Sequence, residues 1–266
     1  MLTTYLLYIT LGALAGVLAG LLGIGGGLVI VPMLNFAFEA QKFPVEHIQH
    51  VALGTSLATI IFTSLSSMRA HHKRGAIDYT AFWRLMPGII LGTYLGAWIA
   101  SLMSTMWLKA LFGVFLYYVA TQMLMGIKPK PTRELPGKVG LFGVGNVIGV
   151  FSALVGIGGG TLTVPFLSWC NKTMHVAIAT AAAVGLPIAL SGTAGFVVNG
   201  LGVEGIPGPH VGYIYIPAFL GIISMSVLTA PLGAKLAHSL PVDKLKRIFA
   251  ILLFIVGTRM LWSAFA

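Results

Sequence analysis

Charge is what this chain has least of. Only 8% of its 266 residues are charged, and six are acidic against 16 Lys and Arg. Soluble domains carry about 25% charged residues, so a water-soluble globular fold is excluded. All six acids (Glu39, Glu46, Asp78, Glu134, Glu204 and Asp243) fall in segments that read as loops. Proton relays inside membranes rely on buried carboxylates. The pattern therefore disfavours carboxylate-coupled antiport and leaves a histidine relay, or sodium held by backbone carbonyls, as the routes to ion coupling. A single cysteine, Cys170, excludes an internal disulfide and a cysteine zinc site. No nucleophile–base pair, metal-ligand cluster or cofactor motif occurs, so no enzyme, metal or cofactor is expected.

What the chain does have is apolar sequence: 57% hydrophobic residues and a mean hydropathy of +0.95. Apolar runs cover roughly 5–22, 28–38, 48–69, 81–101 and 107–125, then 138–155, 161–170, 174–198, 212–236 and 246–264. A membrane helix needs about 20 such residues. The expected fold is an all-α polytopic membrane protein with about 8–10 membrane segments. The apolar N-terminus lacks a basic n-region and a clear cleavage site, and reads as a retained helix.

A glycine-rich signature occurs twice. Leu21-Leu22-Gly23-Ile24-Gly25-Gly26-Gly27 with Val31-Pro32 returns as Leu154-Val155-Gly156-Ile157-Gly158-Gly159-Gly160 with Val164-Pro165, 133 residues later, and nine of the 14 positions from 21 to 34 are identical in the second copy. Other matches keep the same order. His50-Val51-Ala52 pairs with His175-Val176-Ala177, Thr55 with Thr180, Gly96-Ala97 with Gly233-Ala234, and Lys109 with Lys246. The chain divides into a first transmembrane repeat (1–127), a linker (128–137) and a second repeat (138–266). Glycine runs do not sit comfortably in helix interiors. Matched breaks inside apolar segments point to a transporter site built from discontinuous helices. The short runs after each break read as returning arms of re-entrant hairpins, whose tips need a polar cavity or protein cover.

Basic residues set the orientation. With the loop 69–84, the linker, Lys172 and the loop 235–247 placed inside, 13 of the 16 Lys and Arg are cytoplasmic, and only Lys42, Lys109 and Arg259 fall outside. The basic loop 69–84 corresponds to 199–211, which has no Lys or Arg. Equivalent loops thus lie on opposite sides. The repeats are inverted, the linker is cytoplasmic and both termini are expected outside, in the cytoplasmic (inner) membrane of a cell. The net charge of +10 is explained by this topology, so no nucleic-acid partner is expected.

GLLGIGGG at 20–27 with Val31-Pro32, and ALVGIGGG at 153–160 with Val164-Pro165, resemble the sulfite exporter TauE/SafE family, the 4-toluenesulfonate uptake permeases. The resemblance covers essentially the whole chain. It implies a secondary transporter of small sulfur-containing anions: sulfite, or organosulfonates such as sulfoacetate. One departure is that Leu28-Val29-Ile30 becomes Thr161-Leu162-Thr163 in the second copy.

The chemistry of the breaks agrees with an anion. A helix starting after a glycine run has free N–H groups and the positive end of its dipole at its N-terminus, and glycines let an oxyanion approach the backbone. Gly23, Gly25, Gly26, Gly27, Gly156, Gly158, Gly159, Gly160 and Thr161 are therefore candidate substrate-binding residues. His50, Thr55, Ser56, His175 and Thr180 are candidates as imidazole and hydroxyl donors. Helix-end capping is the competing role for the two histidines, and Asn35 and Asn146 are further amide candidates. The expected partners are the anion and the lipid bilayer, with homo-oligomerisation left open. The rival readings are a passive anion channel and a carrier of a small carboxylate without sulfur.

Overall fold

Every apolar run becomes a helix. The structure, a computed structural model, describes residues 2–22, 26–126, 132–239 and 242–265. The order is α1 (Leu2–Leu22), α2 (Gly27–Ala40), α3 (Ile48–Lys73), α4 (Tyr79–Leu102) and α5 (Thr105–Met125), then α6 (Lys138–Val155), α7 (Gly160–Trp169), α8 (Met174–Gly200), α9 (Ile216–Ser239) and α10 (Val242–Phe265). Among the described residues, α3, α4, α5, α6, α8 and residues 247–265 of α10 are long and apolar enough to cross a bilayer. With 14 and 10 residues, α2 and α7 are too short to span one.

One stretch differs from the expected helix. Residues 210–215 form a small antiparallel hairpin, β1 (His210–Val211) and β2 (Ile214–Tyr215), and α9 starts only after it. Gly208 and Gly212 adopt positive φ, and Pro207 and Pro209 have no N–H to give to a helix ladder.

The packing partners show the inversion. Gly54 of α3 lies against Phe196 of α8, Leu57 against Gly192, and Ser64 against Gly185, so these equivalent helices run antiparallel. The same holds for α5 and α10, where Lys109 meets Ser263 and Tyr117 meets Thr258. Antiparallel equivalents are what a two-fold axis in the membrane plane produces. The halves are also interleaved: α1 packs along α9 and α6 along α4, each on a helix of the other half.

Two hairpins complete the fold. The C-terminal end of α7 returns to the start of α6: the N–H groups of Thr132 and Arg133 both donate to the Trp169 carbonyl at 3.3 Å, and Trp169 Nε1 donates to Thr132 Oγ1 at 2.9 Å. On the other side, Gln41 just after α2 donates to the Tyr8 hydroxyl of α1 at 2.7 Å. Each short helix thus goes back to the side its partner came from, and the two hairpins enter from opposite faces.

Small residues let the interleaved helices touch. Gly88, Gly92 and Gly96, spaced four apart on α4, lie against the backbone of Phe142, Asn146 and Val150 on α6. Such stripes drive association in a bilayer, where lipid tails are as apolar as leucine. A side chain at Gly92 would run into the Asn146 carbonyl. Gly92→Val is therefore expected to cost about 1–3 kcal/mol through overpacking. Gly143→Ala, on α6 where a Cβ meets nothing within 4 Å, is expected to melt like wild type. Thermal melts of the purified variants check the contrast.

Candidate functional site

The second break is described in full. α6 ends in a Schellman motif: Ile157 N–H donates to the Ser152 carbonyl at 3.1 Å and Gly156 N–H to the Ala153 carbonyl at 3.2 Å. Gly156 has φ +67°, and a Cβ there would meet Leu53 and Val31. Its carbonyl accepts the Ser56 hydroxyl of α3 at 3.0 Å. After two residues of coil, Gly159 caps α7 at φ −62° and ψ −17°, nearly the geometry of Gly26 before α2, φ −67° and ψ −14°. The start of α2 meets this break, because Gly27 lies directly on the Gly156 carbonyl. Gly23 and Gly25 lie outside the described residues.

Depth follows from neighbours. Gly158 faces Ile60, about 18 Å along α3, and Gly159 faces Ala181 and Gly185, roughly 14 Å along α8 from its opposite end. The break is near mid-membrane. Here the N–H groups of Gly160, Thr161 and Leu162 precede the first intrahelical donor, Thr163, which bonds the Gly159 carbonyl at 3.0 Å. Gly27 and Leu28 stand likewise at the start of α2, ahead of Val29 and Ile30, whose N–H groups both reach the Gly26 carbonyl. Two helix N-termini, each with a positive dipole end, thus start beside one another.

The polar side chains gathered here differ between halves. Ser152, Thr161 and Thr163 are buried, and their hydroxyls find no hydrogen-bond partner among the described residues. Ser152 and Thr163 extend the candidate set; the Leu28-Val29-Ile30 to Thr161-Leu162-Thr163 exchange is the sequence signal for Thr163. Gln49 is also fully buried with both amide atoms unpartnered, and nothing in the sequence pattern marks it. Among the described residues, no three His, Cys, Asp or Glu side chains gather in a way that could hold a metal ion.

Other candidates lie elsewhere. His50 Nε2 is 3.0 Å from the carbonyls of both Ala100 and Met103, so it caps the end of α4, and its ring stacks on Tyr213. His175 is exposed at the first turn of α8. Neither imidazole reaches the break. Thr55 and Thr180 are buried and do matching work: Thr55 Oγ1 accepts Tyr215 N–H at 3.0 Å, and Thr180 Oγ1 accepts Asp78 N–H at 2.9 Å. Each ties the residue just ahead of α9 or α4 to the long helix of the other half. Asn35 donates to the Val31 carbonyl of its own helix, and the backbone of Asn146 serves the α4 contact.

The charges show a further departure from expectation. Glu39 sits in the last turn of α2 and Asp243 in α10, not in loops. Glu39 Oε1 is 2.6 Å from Lys109 Nζ, and Lys109 is 3% exposed. Arg259 lies 4.3 Å over the Phe36 ring of the same helix. On the linker side, Asp78 pairs with Lys172 at 2.7 Å. Burial alone would raise its carboxyl pKa; the Lys172 ammonium and the Ala81 N–H outweigh that and hold it below the ordinary value.

Inverted repeats, interleaved halves and two glycine-broken hairpins, with the start of α2 on the second break, define a polytopic membrane transporter. Residues 8–260 match the sulfite exporter TauE/SafE family, and the chain belongs to that family. It is 41% identical over 263 residues to a probable membrane transporter protein of Haemophilus influenzae, covering 98% of this chain and 99% of that one. It is 26% identical to the probable membrane transporter protein YunE of Bacillus subtilis, covering 98% of each, and 27% identical to a probable membrane transporter protein of Methanocaldococcus jannaschii, covering 96% and 94%.

The Glu39–Lys109 pair generates a stability prediction. Glu39→Gln strands a buried ammonium and is expected to cost about 3–5 kcal/mol. Lys109→Met leaves only a carboxylate whose side chain is 29% exposed, and is expected to cost less. Thermal melts give the order; if both variants melt like wild type, the pair holds nothing together.

Proposed function

We propose that this chain is a secondary carrier moving a small sulfur oxyanion, sulfite or an organosulfonate such as sulfoacetate, across the cytoplasmic membrane. The observation that carries the reading is the paired start of α2 and α7 near mid-membrane, where, among the described residues, the first N–H groups are unspent and the hydroxyls of Ser152, Thr161 and Thr163 close to the break are unpartnered. Backbone donors and hydroxyls suit an anion without the cost of a lysine or arginine in hydrocarbon. The family's name supports sulfite among small anions. The two transport repeats are residues 1–127 and 138–266, joined by the cytoplasmic linker 128–137, with both termini outside.

Gly158 is the residue that separates binding from packing. Among the described residues a Cβ there meets only Ile60 Cγ2, at 3.5 Å, whereas one at Gly159 meets the Ala181 carbonyl at 2.7 Å. Gly158→Ala is expected to melt like wild type and bind sulfite or sulfoacetate at least about tenfold more weakly, because a methyl group keeps the oxyanion off the backbone. Thr161→Val is expected to lose about 1.5–3 kcal/mol, the contribution of a hydrogen bond to a charged group. Ligand-induced thermal shifts against sulfite, sulfoacetate, sulfate and small carboxylates check both. Unchanged affinity in both variants removes the site, and stabilisation by carboxylates alone replaces the substrate class. Saturable exchange in proteoliposomes supports a carrier, and unsaturable flux supports a channel.

The topology has its own test. In a Cys170→Ser background, cysteines at positions 2 and 266 are expected to react with an impermeant thiol reagent in intact cells, and one at 132 is expected not to. Labelling at 132 with protection of both ends reverses the orientation.

A further inference from the structure

A cavity of about 580 Å³ opens between α5, α6 and α7. Phe115 and Tyr118 of α5, Gly143 and Phe151 of α6, and Leu162 and Phe166 of α7 line it, and no charged side chain does. Along α6 it runs from about 8 Å to about 20 Å from the linker-side end. Tyr118 and Phe151 are exposed at its lip, on the side that faces lipid. The slot is apolar and faces lipid over that length, which suits an alkyl chain.

The matching place in the other repeat differs. Val29, the counterpart of Leu162 at the 133-residue offset, is buried. At the linker end the slot meets charge. The Arg133 guanidinium lies 4.9 Å over the Trp169 ring, one turn beyond Phe166, and exposed Lys138 opens α6 just ahead of Gly143. Neither cation forms a salt bridge with a described carboxylate. An interfacial tryptophan beside two cations is the chemistry of a headgroup contact.

We propose that this slot holds one acyl chain of an anionic phospholipid from the linker-side leaflet, with its headgroup on Arg133 and Lys138. The chain lies along Leu162 and Phe166, so it fills the lipid-facing side of α7 directly behind Thr161. This lipid site is independent of the identity of the transported anion.

Gly143→Leu tests the slot, because a Cβ at Gly143 meets nothing within 4 Å and the larger side chain extends into the cavity without moving the backbone. Wild type, Gly143→Leu and Arg133→Gln/Lys138→Gln are equilibrated with equal phosphatidylglycerol and phosphatidylcholine and weighed by native mass spectrometry. Wild type is expected to retain one phosphatidylglycerol in about thirtyfold preference, from two surface cations. The double variant is expected to keep a lipid and lose the preference. Gly143→Leu is expected to retain none while melting like wild type. Phosphatidylglycerol retained by Gly143→Leu at the wild-type level, or no lipid preference in wild type, overturns the proposal.

Discussion

A peptide group without a hydrogen bond cannot rest in hydrocarbon, and the break at residues 156–159 puts such groups near mid-membrane. The remaining architecture answers that constraint. The Schellman turn takes up the two N–H groups that follow α6, and the Ser56 hydroxyl covers the Gly156 carbonyl. α3 and α8 enclose the break on either side, and α2 lies on it from the front. Glycine is needed at these contacts because backbone meets backbone there. Among the described residues, what stays uncovered is the set of N–H groups at the start of α7, together with the hydroxyls nearby. In a dry interior, donors left over by the fold are donors available to a ligand.

The fold was largely legible in the sequence because a bilayer imposes length and hydropathy on every spanning helix. The limits of α6 coincide with the apolar run, and both short arms follow the glycine runs as expected. The inversion was readable from the distribution of Lys and Arg between loops that the internal repeat makes equivalent. Side-chain roles were less legible, since a motif names a residue but not its neighbour. Gly158 and Gly159 look alike in sequence, yet one faces a side-chain methyl of Ile60 at ordinary contact distance and the other a carbonyl. Thr55 and Thr180 were readable as equivalents, while their use as cross-half acceptors depends on loops about 100 to 160 residues away. Glu39 reads as a loop residue until Lys109, brought beside it by α5, is seen. The prolines and glycines around 207–212 mark a turn, but the apolar residues that follow mask where the helix begins.

The two halves share a plan and differ in chemistry. Leu28, Val29 and Ile30 are buried and apolar, where Thr161 and Thr163 are buried and polar. The backbone framework is duplicated and the hydroxyls are not, so the two helix starts offer a ligand unequal sets of donors. The pairing of Asp78 with Lys172 adds an ion pair to the loop that Thr180 already holds, whereas the loop that Thr55 holds rests on aromatic stacking of Tyr213 against His50. Such inequality lets a two-fold framework favour one of its two faces.

The interleaving also bears on how the molecule is made. α1 is synthesised well before the surface it packs against, α9, which begins near residue 216. At about 5–20 residues per second, roughly 10–40 s separate the two. During that interval α1 has its glycine face, Gly12 and Gly16, turned to lipid or to whatever shelters it in the membrane. α4 waits less, because α6 follows within about 60 residues. α9 therefore completes the packing of α1, and a chain cut short after α8 leaves α1 without that partner.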